Sequence, residues 1–109
     1  MKASALRVTL GADVELNYST HGTAIASLFV AENRYTKKGD EYETKTSWYN
    51  AKAFGRTAEK LAEDLSKGDS ISFEGSYVTE QYEKNGDKKT SHTVIIDRFV
   101  KLARKDANE

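Results

Sequence analysis

Cysteine and proline are both absent from this sequence of 109 residues, and methionine and tryptophan occur once each. Without cysteine the chain can form neither a disulfide framework nor a thiolate metal site, which is typical of proteins of a reducing cytosol. The two histidines, His21 and His92, are isolated in the sequence and give little support to a histidine metal site. We therefore predict a protein with no metal ion and no cofactor.

Long apolar runs are missing as well. The first residues, MKASALRVTLGADVE, lack the apolar core of a signal peptide, and no stretch approaches the length of a transmembrane helix. The sequence thus predicts a cytoplasmic, nucleoid-associated protein with no membrane partner. Phosphate-binding glycine loops, the EF-hand ligand series and a nucleophile elbow are also absent, so we expect no enzymatic activity.

An excess of positive charge is a third absence, because 17 Lys and Arg balance 17 Asp and Glu. This balance argues against a protein that coats nucleic acid through bulk positive charge, but it leaves room for a local basic groove. The basic residues are in fact clustered, and many stand next to aromatic residues. The clusters are Arg34, Lys37, Lys38 and Lys45; Lys52, Arg56 and Lys60; and Lys84, Lys88 and Lys89.

The length suits a single domain, which we place at residues 1–104, followed by a short tail at 105–109. Alternating apolar residues predict strands at 5–10 and 71–77, and an unbroken apolar run at 22–33 predicts a central, curved strand. Residues 11–22 carry turn signals and form a connection or an irregular strand with a bulge. Two hairpins are predicted, one at Lys38-Gly39-Asp40 and one at Asn85-Gly86, with a returning strand at 93–102.

One amphipathic helix is predicted within residues 56–68. Ala58, Leu61 and Leu65 lie on one apolar stripe, Thr57 is the expected N-cap, and Gly68 is the expected left-handed residue after the end. Three strands, a helix and two further strands describe a closed or nearly closed antiparallel barrel. The predicted fold is therefore all-β with one helix: an OB-fold, a five-stranded Greek-key β-barrel with long hairpin loops. A β-sandwich is the alternative.

The stretch TSWYNAKAFGR, residues 46–56, gives the first indication of function. In an extended strand Trp48, Lys52 and Phe54 share one side, whereas Ala51 and Ala53 face the other and can lie on a core. Exposed aromatic residues beside cations suit single-stranded nucleic acid, because bases stack on the rings and phosphates meet the cations. Burial is the alternative for the aromatic pair, with Trp48 capping the barrel and Phe54 in the core.

The same combination recurs on both hairpins. Tyr35 stands among Arg34, Lys37 and Lys38 on the first hairpin. The last hairpin combines aromatic and basic residues in the same way: Tyr77, Tyr82, Lys84, Lys88 and Lys89. A subunit interface is the alternative for the tip tyrosines, because tyrosine is also enriched at interfaces.

Two long stretches, LGADVELNYSTHGTAIASLFVAENR and SWYNAKAFGRTAEKLAEDLSKGDSISFEG, resemble the bacterial single-stranded DNA-binding proteins over nearly the whole chain. The resemblance implies an OB barrel on which DNA stacks against the aromatic positions Tyr35, Trp48, Phe54 and Tyr82. It further implies phosphate contacts by basic residues. These are Arg34, Lys37, Lys38, Arg56 and Lys84.

Several positions depart from the pattern of that family. Tyr35 and Tyr82 stand where tryptophans are frequent, and Asn50 stands where a basic residue is usual. Tyr49 replaces a histidine that lies near a subunit contact in tetrameric members, so the oligomeric state, dimer or tetramer, stays open. The chain also ends in ARKDANE without the acidic Pro-Phe tip, which indicates a truncated chain or a tail-less phage or plasmid member.

These observations predict a homo-oligomeric protein that binds single-stranded DNA during replication, recombination and repair. Replication and recombination proteins are possible further partners. The predicted DNA-binding residues are Arg34, Tyr35, Lys37, Lys38, Trp48, Lys52, Phe54, Arg56, Tyr77, Tyr82, Lys84 and Lys88. Two alternatives use the same barrel: a protein-interaction module with weak affinity for DNA, and a module that binds structured RNA.

Overall fold

Six strands and one helix make up residues 2–103, the part of the chain that the computed structural model describes. The predicted tail at 105–109 lies outside the described residues. The elements in chain order are β1 (Lys2–Leu10), β2 (Glu15–Tyr18), β3 (Ala24–Lys38), β4 (Glu41–Phe54), α1 (Gly55–Asp64), β5 (Ser70–Lys84) and β6 (Asp87–Leu102).

Five of these strands close into a barrel in the order β1-β5-β6-β4-β3, because the end of β1 also pairs with β3. The OB-fold prediction is confirmed. The expectation of a wholly antiparallel barrel is wrong at one seam, since β4 and β6 run parallel where Ala51 pairs with Val94. Parallel neighbours need a long crossover connection, and α1 with β5 provides it.

The region at 11–22 contains a short strand, so four strands rather than three precede the helix. β2 pairs with β3 from Glu15 opposite Ser27 to Tyr18 opposite Ala24, and it extends the sheet beyond the barrel. Of the two predicted alternatives for residues 11–22, the irregular strand therefore describes the structure better than a simple connection.

Small and aliphatic side chains fill the barrel. Alternate residues of β3 are buried, namely Ala24, Ala26, Leu28 and Val30. Ala51 and Ala53 of β4 are completely buried, and Ala58 and Leu61 of α1 pack against the same core. The small side chains of the alanines in β3 and β4 leave room for the helix to approach closely.

Both ends of α1 differ from the prediction. The helix begins at Gly55, and the preceding Phe54 provides no side-chain cap. Thr57 lies inside the first turn and its hydroxyl donates to the Asp97 carbonyl at 3.4 Å. At the other end, Leu65 leaves the helix in an extended conformation to place its side chain in the core. Gly68 has a φ of 93° but lies beyond the C-cap, where its N–H donates to the Leu10 carbonyl.

Both predicted hairpins are present, and each ends in a two-residue turn. In the first, Lys38 pairs with Glu41 around Gly39, whose φ is 62°. In the second, Asn85 and Gly86 have φ values of 55° and 83°, which matches the type I′ turn expected of Asn-Gly. Because this turn is tight, β6 begins at Asp87 rather than at 93, and the hairpin extends well beyond the barrel.

Candidate nucleic-acid interface

Strand β4 separates its side chains into a buried set and an exposed set. Trp48 is 54% exposed and Phe54 is 45% exposed, whereas Ala51 and Ala53 are fully buried. Lys52 is exposed as well. The predicted alternation is thus confirmed at these positions, and burial of Phe54 in the core is wrong because the inward positions at this end of β4 belong to alanines.

Strand β3 contributes a second row to the same side of the sheet. Directly opposed residues of an antiparallel pair project to the same side. Their register places Ala31 opposite Trp48, Phe29 opposite Asn50, Ser27 opposite Lys52, and Lys37 opposite Tyr42. We call this surface the outer face; its residues are Ile25, Ser27, Phe29, Ala31, Asn33, Tyr35, Lys37, Tyr42, Thr44, Thr46, Trp48, Asn50, Lys52 and Phe54.

Phe29 is a member of the outer face that the sequence analysis missed. It is 42% exposed, and its ring stacks on Trp48 with centroids 5.0 Å apart and planes 19° from parallel. The unbroken apolar run at 22–33 concealed it, because every residue there looked suitable for a core. Pairing with β4 fixes the phase of this strand, and in that phase Phe29 is out of step with the buried Ala26, Leu28 and Val30.

Gly11 completes the surroundings of Trp48. A Cβ atom placed on Gly11 would lie 2.6 Å from Cζ3 of Trp48 and 3.4 Å from Cδ2 of Phe29. The Gly11 N–H also donates to the Phe29 carbonyl at 2.8 Å. The end of β1 is therefore fixed against the aromatic stack, and the absence of a side chain leaves room for the indole.

Tyr35 and Tyr42 extend the outer face toward the tip of the hairpin. They are 63% and 69% exposed, and Lys37 lies directly opposite Tyr42. Tyr42 is a second residue that the sequence analysis did not select. Within residues 2–103 neither Lys37 nor Lys52 forms an ion pair, so both ammonium groups are open to an anion.

Arg34 and Lys38 project from the opposite side of the hairpin. Arg34 Nε lies 3.4 Å from Oε2 of Glu32, and Lys38 Nζ lies 2.7 Å from Oε2 of Glu43. Both cations are largely exposed, and exposed ion pairs contribute little to stability. These two predicted phosphate contacts therefore project from the other side of the sheet than Trp48, and both already have carboxylate partners.

The side of the hairpin opposite the outer face, which we call the inner side, also carries a hydrogen bond between Tyr49 and Glu32. The Tyr49 hydroxyl donates to Glu32 Oε1 at 3.0 Å in a partly buried setting. Burial, followed by this hydrogen bond and the negative charge of Glu32, raises the pKa of Tyr49 above its ordinary value, while Arg34 opposes the change. This position is therefore held as a neutral donor.

The second hairpin divides its predicted residues between two sides. Tyr82 and Lys84 project from one side of β5, while Tyr77 is an odd number of residues away and projects from the other. Lys88 shares the side of Tyr77, and the Tyr77 ring stacks on His92 with centroids 5.6 Å apart. The structure does not bring Tyr77 and Tyr82 onto a common surface of this hairpin.

A groove of 570 Å³ lies between the two hairpins. Its aromatic and charged lining includes Lys2, Arg34, Trp48, Tyr49, Tyr77 and His92. Trp48 thus stands where the outer face meets the groove. Arg56 lies apart from the groove, exposed in the first turn of α1.

Residues 2–103 hold neither a candidate metal cluster nor a membrane-spanning helix. They contain no cluster of three or more His, Cys, Asp or Glu side chains arranged to hold a metal ion. Their helix is neither long nor apolar enough to cross a membrane.

A family model described as the single-strand binding protein family matches residues 2–102. The chain belongs to this family. Single-strand binding proteins of two bacteria are among its curated relatives. The single-stranded DNA-binding protein of Wolinella succinogenes is 35% identical over 99 residues, covering 89% of this chain and 61% of its own length. That of Helicobacter pylori is 35% identical over 98 residues, covering 88% and 55%.

Solved structures of single-strand binding proteins share the fold. The wild-type protein from Thermus aquaticus superposes with a TM-score of 0.78 at 27% identity, over 94% of this chain and 52% of that one. The Plasmodium falciparum protein, solved with single-stranded DNA, gives 0.82 at 18% identity over 94% of both chains. The present chain spans about three fifths of the length of the curated relatives it matches.

Proposed function

We propose that this chain binds single-stranded DNA with little regard for sequence and protects it during replication, recombination and repair. The observation that carries the proposal is the outer face, where exposed rings share one side of one hairpin with lysines that form no ion pair within residues 2–103. Rings of this kind hold bases at about 1–3 kcal/mol each, and every base offers a flat face to stack. The names of the curated relatives and the family membership support the same function.

The outer face gives the proposed residues different tasks. Tyr35, Trp48 and Phe54 stack bases, while Lys37 and Lys52 neutralise phosphates beside them. We infer that the bound DNA strand continues from the outer face onto the second hairpin and onto the first turn of α1. The remaining proposed contacts are Arg34, Lys38, Arg56, Tyr77, Tyr82, Lys84 and Lys88.

The proposed activity is non-catalytic. Occupied bases cannot pair with another strand, and a strand held on the barrel is shielded from nucleases. One OB barrel covers about 4–16 nucleotides, so a dimer or tetramer of this chain would wrap several times that length. We place this homo-oligomer in the cytoplasm with the nucleoid, where replication and recombination proteins are its further partners.

Fluorescence of Trp48 tests the proposal directly, because it is the only tryptophan. Titration with oligo-dT at about 50 mM salt should quench the emission, and the affinity should fall steeply at about 200 mM as counterion release becomes less favourable. A folded protein that shows no quenching at low salt would overturn the proposal. A partner protein that quenches where oligo-dT does not would favour the interaction module.

Alanine substitution tests the residue assignment. Trp48→Ala and Tyr82→Ala should each weaken binding by about 1–3 kcal/mol if both rings stack bases. Tyr18→Ala is the matched control, because Tyr18 is 58% exposed on β2 but hydrogen-bonds to Glu59 of α1. Unchanged affinity in a folded Trp48→Ala, Tyr82→Ala double variant would reject these two assignments.

A further inference from the structure

The stacked rings of Phe29 and Trp48 separate two depressions of the surface. Trp48 lines the large groove between the hairpins, whereas Phe29 lines a smaller depression of 190 Å³ beside it. Asn50 lines both depressions. Trp48 covers one side of the Phe29 ring, and Phe29, which stays partly exposed, lines the smaller depression.

The size of the smaller depression suits a single base. Ligand pockets for drug-sized molecules measure about 300–1,000 Å³, and a nucleobase without its sugar is smaller than such molecules. The depression is lined by one ring, short polar groups and two carboxylates. Its principal lining residues are Ala12, Asp13, Glu15, Ser27, Phe29 and Asn50.

The charges around this depression orient a nucleotide. Glu15 lies opposite Ser27, and Ser27 lies opposite Lys52, so a carboxylate and an ammonium flank the same row of the sheet. A phosphate is attracted toward Lys52 and repelled by Glu15. The base of that nucleotide is therefore directed toward Glu15, with its ring against Phe29.

The polar groups of the depression favour one kind of base edge. An ionised carboxylate only accepts hydrogen bonds, so it can pair with an exocyclic amino group and opposes a carbonyl oxygen. Asp13 is held in place because its Oδ1 accepts the Lys67 N–H at 2.8 Å. Glu15 forms no ion pair or side-chain hydrogen bond within residues 2–103, and Asn50 can complete the edge as donor or acceptor.

We propose that this depression is a base subsite, walled by Phe29, that favours a base carrying an exocyclic amino group over thymine or uracil. The inference rests on the proposed function and adds a compositional bias to otherwise sequence-tolerant binding. Carboxylate recognition of the cytosine amino group is a known mode of base discrimination. Stacking on Phe29 holds the base, and Glu15 and Asp13 distinguish its edge.

Oligo-dC and oligo-dU of equal length provide the sharpest comparison, because cytosine has an amino group where uracil has a carbonyl and neither carries the methyl group of thymine. Fluorescence anisotropy of labelled oligomers at mildly alkaline pH, where cytosine is uncharged, gives both affinities. The unaltered protein should bind oligo-dC about three- to tenfold more tightly than oligo-dU. Phe29→Leu and Glu15→Gln should each bring this ratio close to one.

Glu63→Gln is the matched control, since it removes the same charge from the exposed surface of α1 and should preserve the ratio. Circular dichroism checks that each variant is folded. Equal affinity for the two oligomers in the unaltered protein would overturn the subsite while leaving the proposed function intact. A preference that survives in both Phe29→Leu and Glu15→Gln would also overturn it. Absence of binding to either oligomer would reject the proposed function and the subsite with it.

Discussion

Around Trp48 the outer face combines one large stacked neighbour with two very small ones. Phe29 covers one side of the indole, while Gly11 and Ala31 contribute almost no bulk beside it. The indole is consequently ordered by contact on one side and remains 54% exposed. A ring that is already positioned loses little conformational freedom when a base stacks on it, which strengthens binding.

Gly11→Ala should displace this ring without greatly affecting the fold. The φ angle of Gly11 is not positive, so alanine fits the backbone, but its Cβ would lie 2.6 Å from Trp48 Cζ3. We expect a shifted tryptophan emission in the free protein and DNA binding weaker by about 1 kcal/mol, the low end of one stacking interaction. Emission and affinity both equal to those of the unaltered protein would show that Gly11 does not position the indole.

Tyr49 gives the stability a dependence on alkaline pH. Its raised pKa means that the folded protein keeps the hydroxyl proton after the unfolded chain releases it near pH 10. The free energy of unfolding should therefore fall as the pH rises from about 10 toward the higher folded-state pKa.

Tyr49→Phe isolates this contribution. At about pH 8 the free energy of unfolding of the variant should be about 1 kcal/mol lower than that of the unaltered protein, because the hydrogen bond to Glu32 is removed. Above about pH 10 the free energy of unfolding should fall less in the variant than in the unaltered protein. Urea denaturation of both proteins at the two pH values measures the difference. Parallel pH profiles would contradict the role assigned to Tyr49.

At the scale of elements, period-two alternation predicted the faces of β4 but not those of β3. In β4 the two sets differ clearly, since Trp48 and Lys52 face one side of the strand and the alanines Ala51 and Ala53 face the other. In β3 apolar residues occupy both sides, so sequence could not tell the buried Leu28 from the exposed Phe29. Register decides this, and register depends on β1, β2 and β4 together. The C-terminal end of α1 was placed too late for a related reason: burial of Leu65 overrode the local stop signal at Gly68.

The hairpin of β5 and β6 depends on a glycine where the pairing register shifts. A Cβ atom on Gly75 would lie 1.7 Å from the Ile95 carbonyl oxygen, which is backbone and cannot rotate away. Gly75→Ala should therefore destabilise the protein by at least about 2 kcal/mol, because the two strands must separate. Gly86→Ala is the comparison: its φ is 83° with no neighbour within 4 Å, so it should cost only about 1 kcal/mol of backbone strain. Thermal unfolding of both variants would contradict this account if Gly86→Ala were the less stable.

For the whole molecule, zero net charge conceals a separation of charged groups between surfaces. Glu32 and Glu43 lie with Arg34 and Lys38 on the inner side of the first hairpin, where the ion pairs form. Lys37 and Lys52 remain unpaired on the outer face within residues 2–103. Zero net charge gives the whole protein little long-range attraction for DNA, so in the proposed binding the local contacts must supply the electrostatic part of the affinity.

Salt dependence measures how many of these local contacts form. Each phosphate neutralised on a single strand contributes about 0.7 to the slope of log K against log salt concentration. Lys37→Gln with Lys52→Gln should thus lower the slope by about 1.4 in oligo-dT titrations, with folding checked by circular dichroism. Arg98→Gln is the control. It removes one positive charge from β6, on a strand outside the outer face, where Arg98 Nε lies 4.0 Å from Glu74 Oε2. This variant should leave the slope unchanged. If Arg98→Gln lowered the slope as much per charge as the lysine variants, the protein would attract DNA through its total charge, and the outer face would lose its assigned role in phosphate contact.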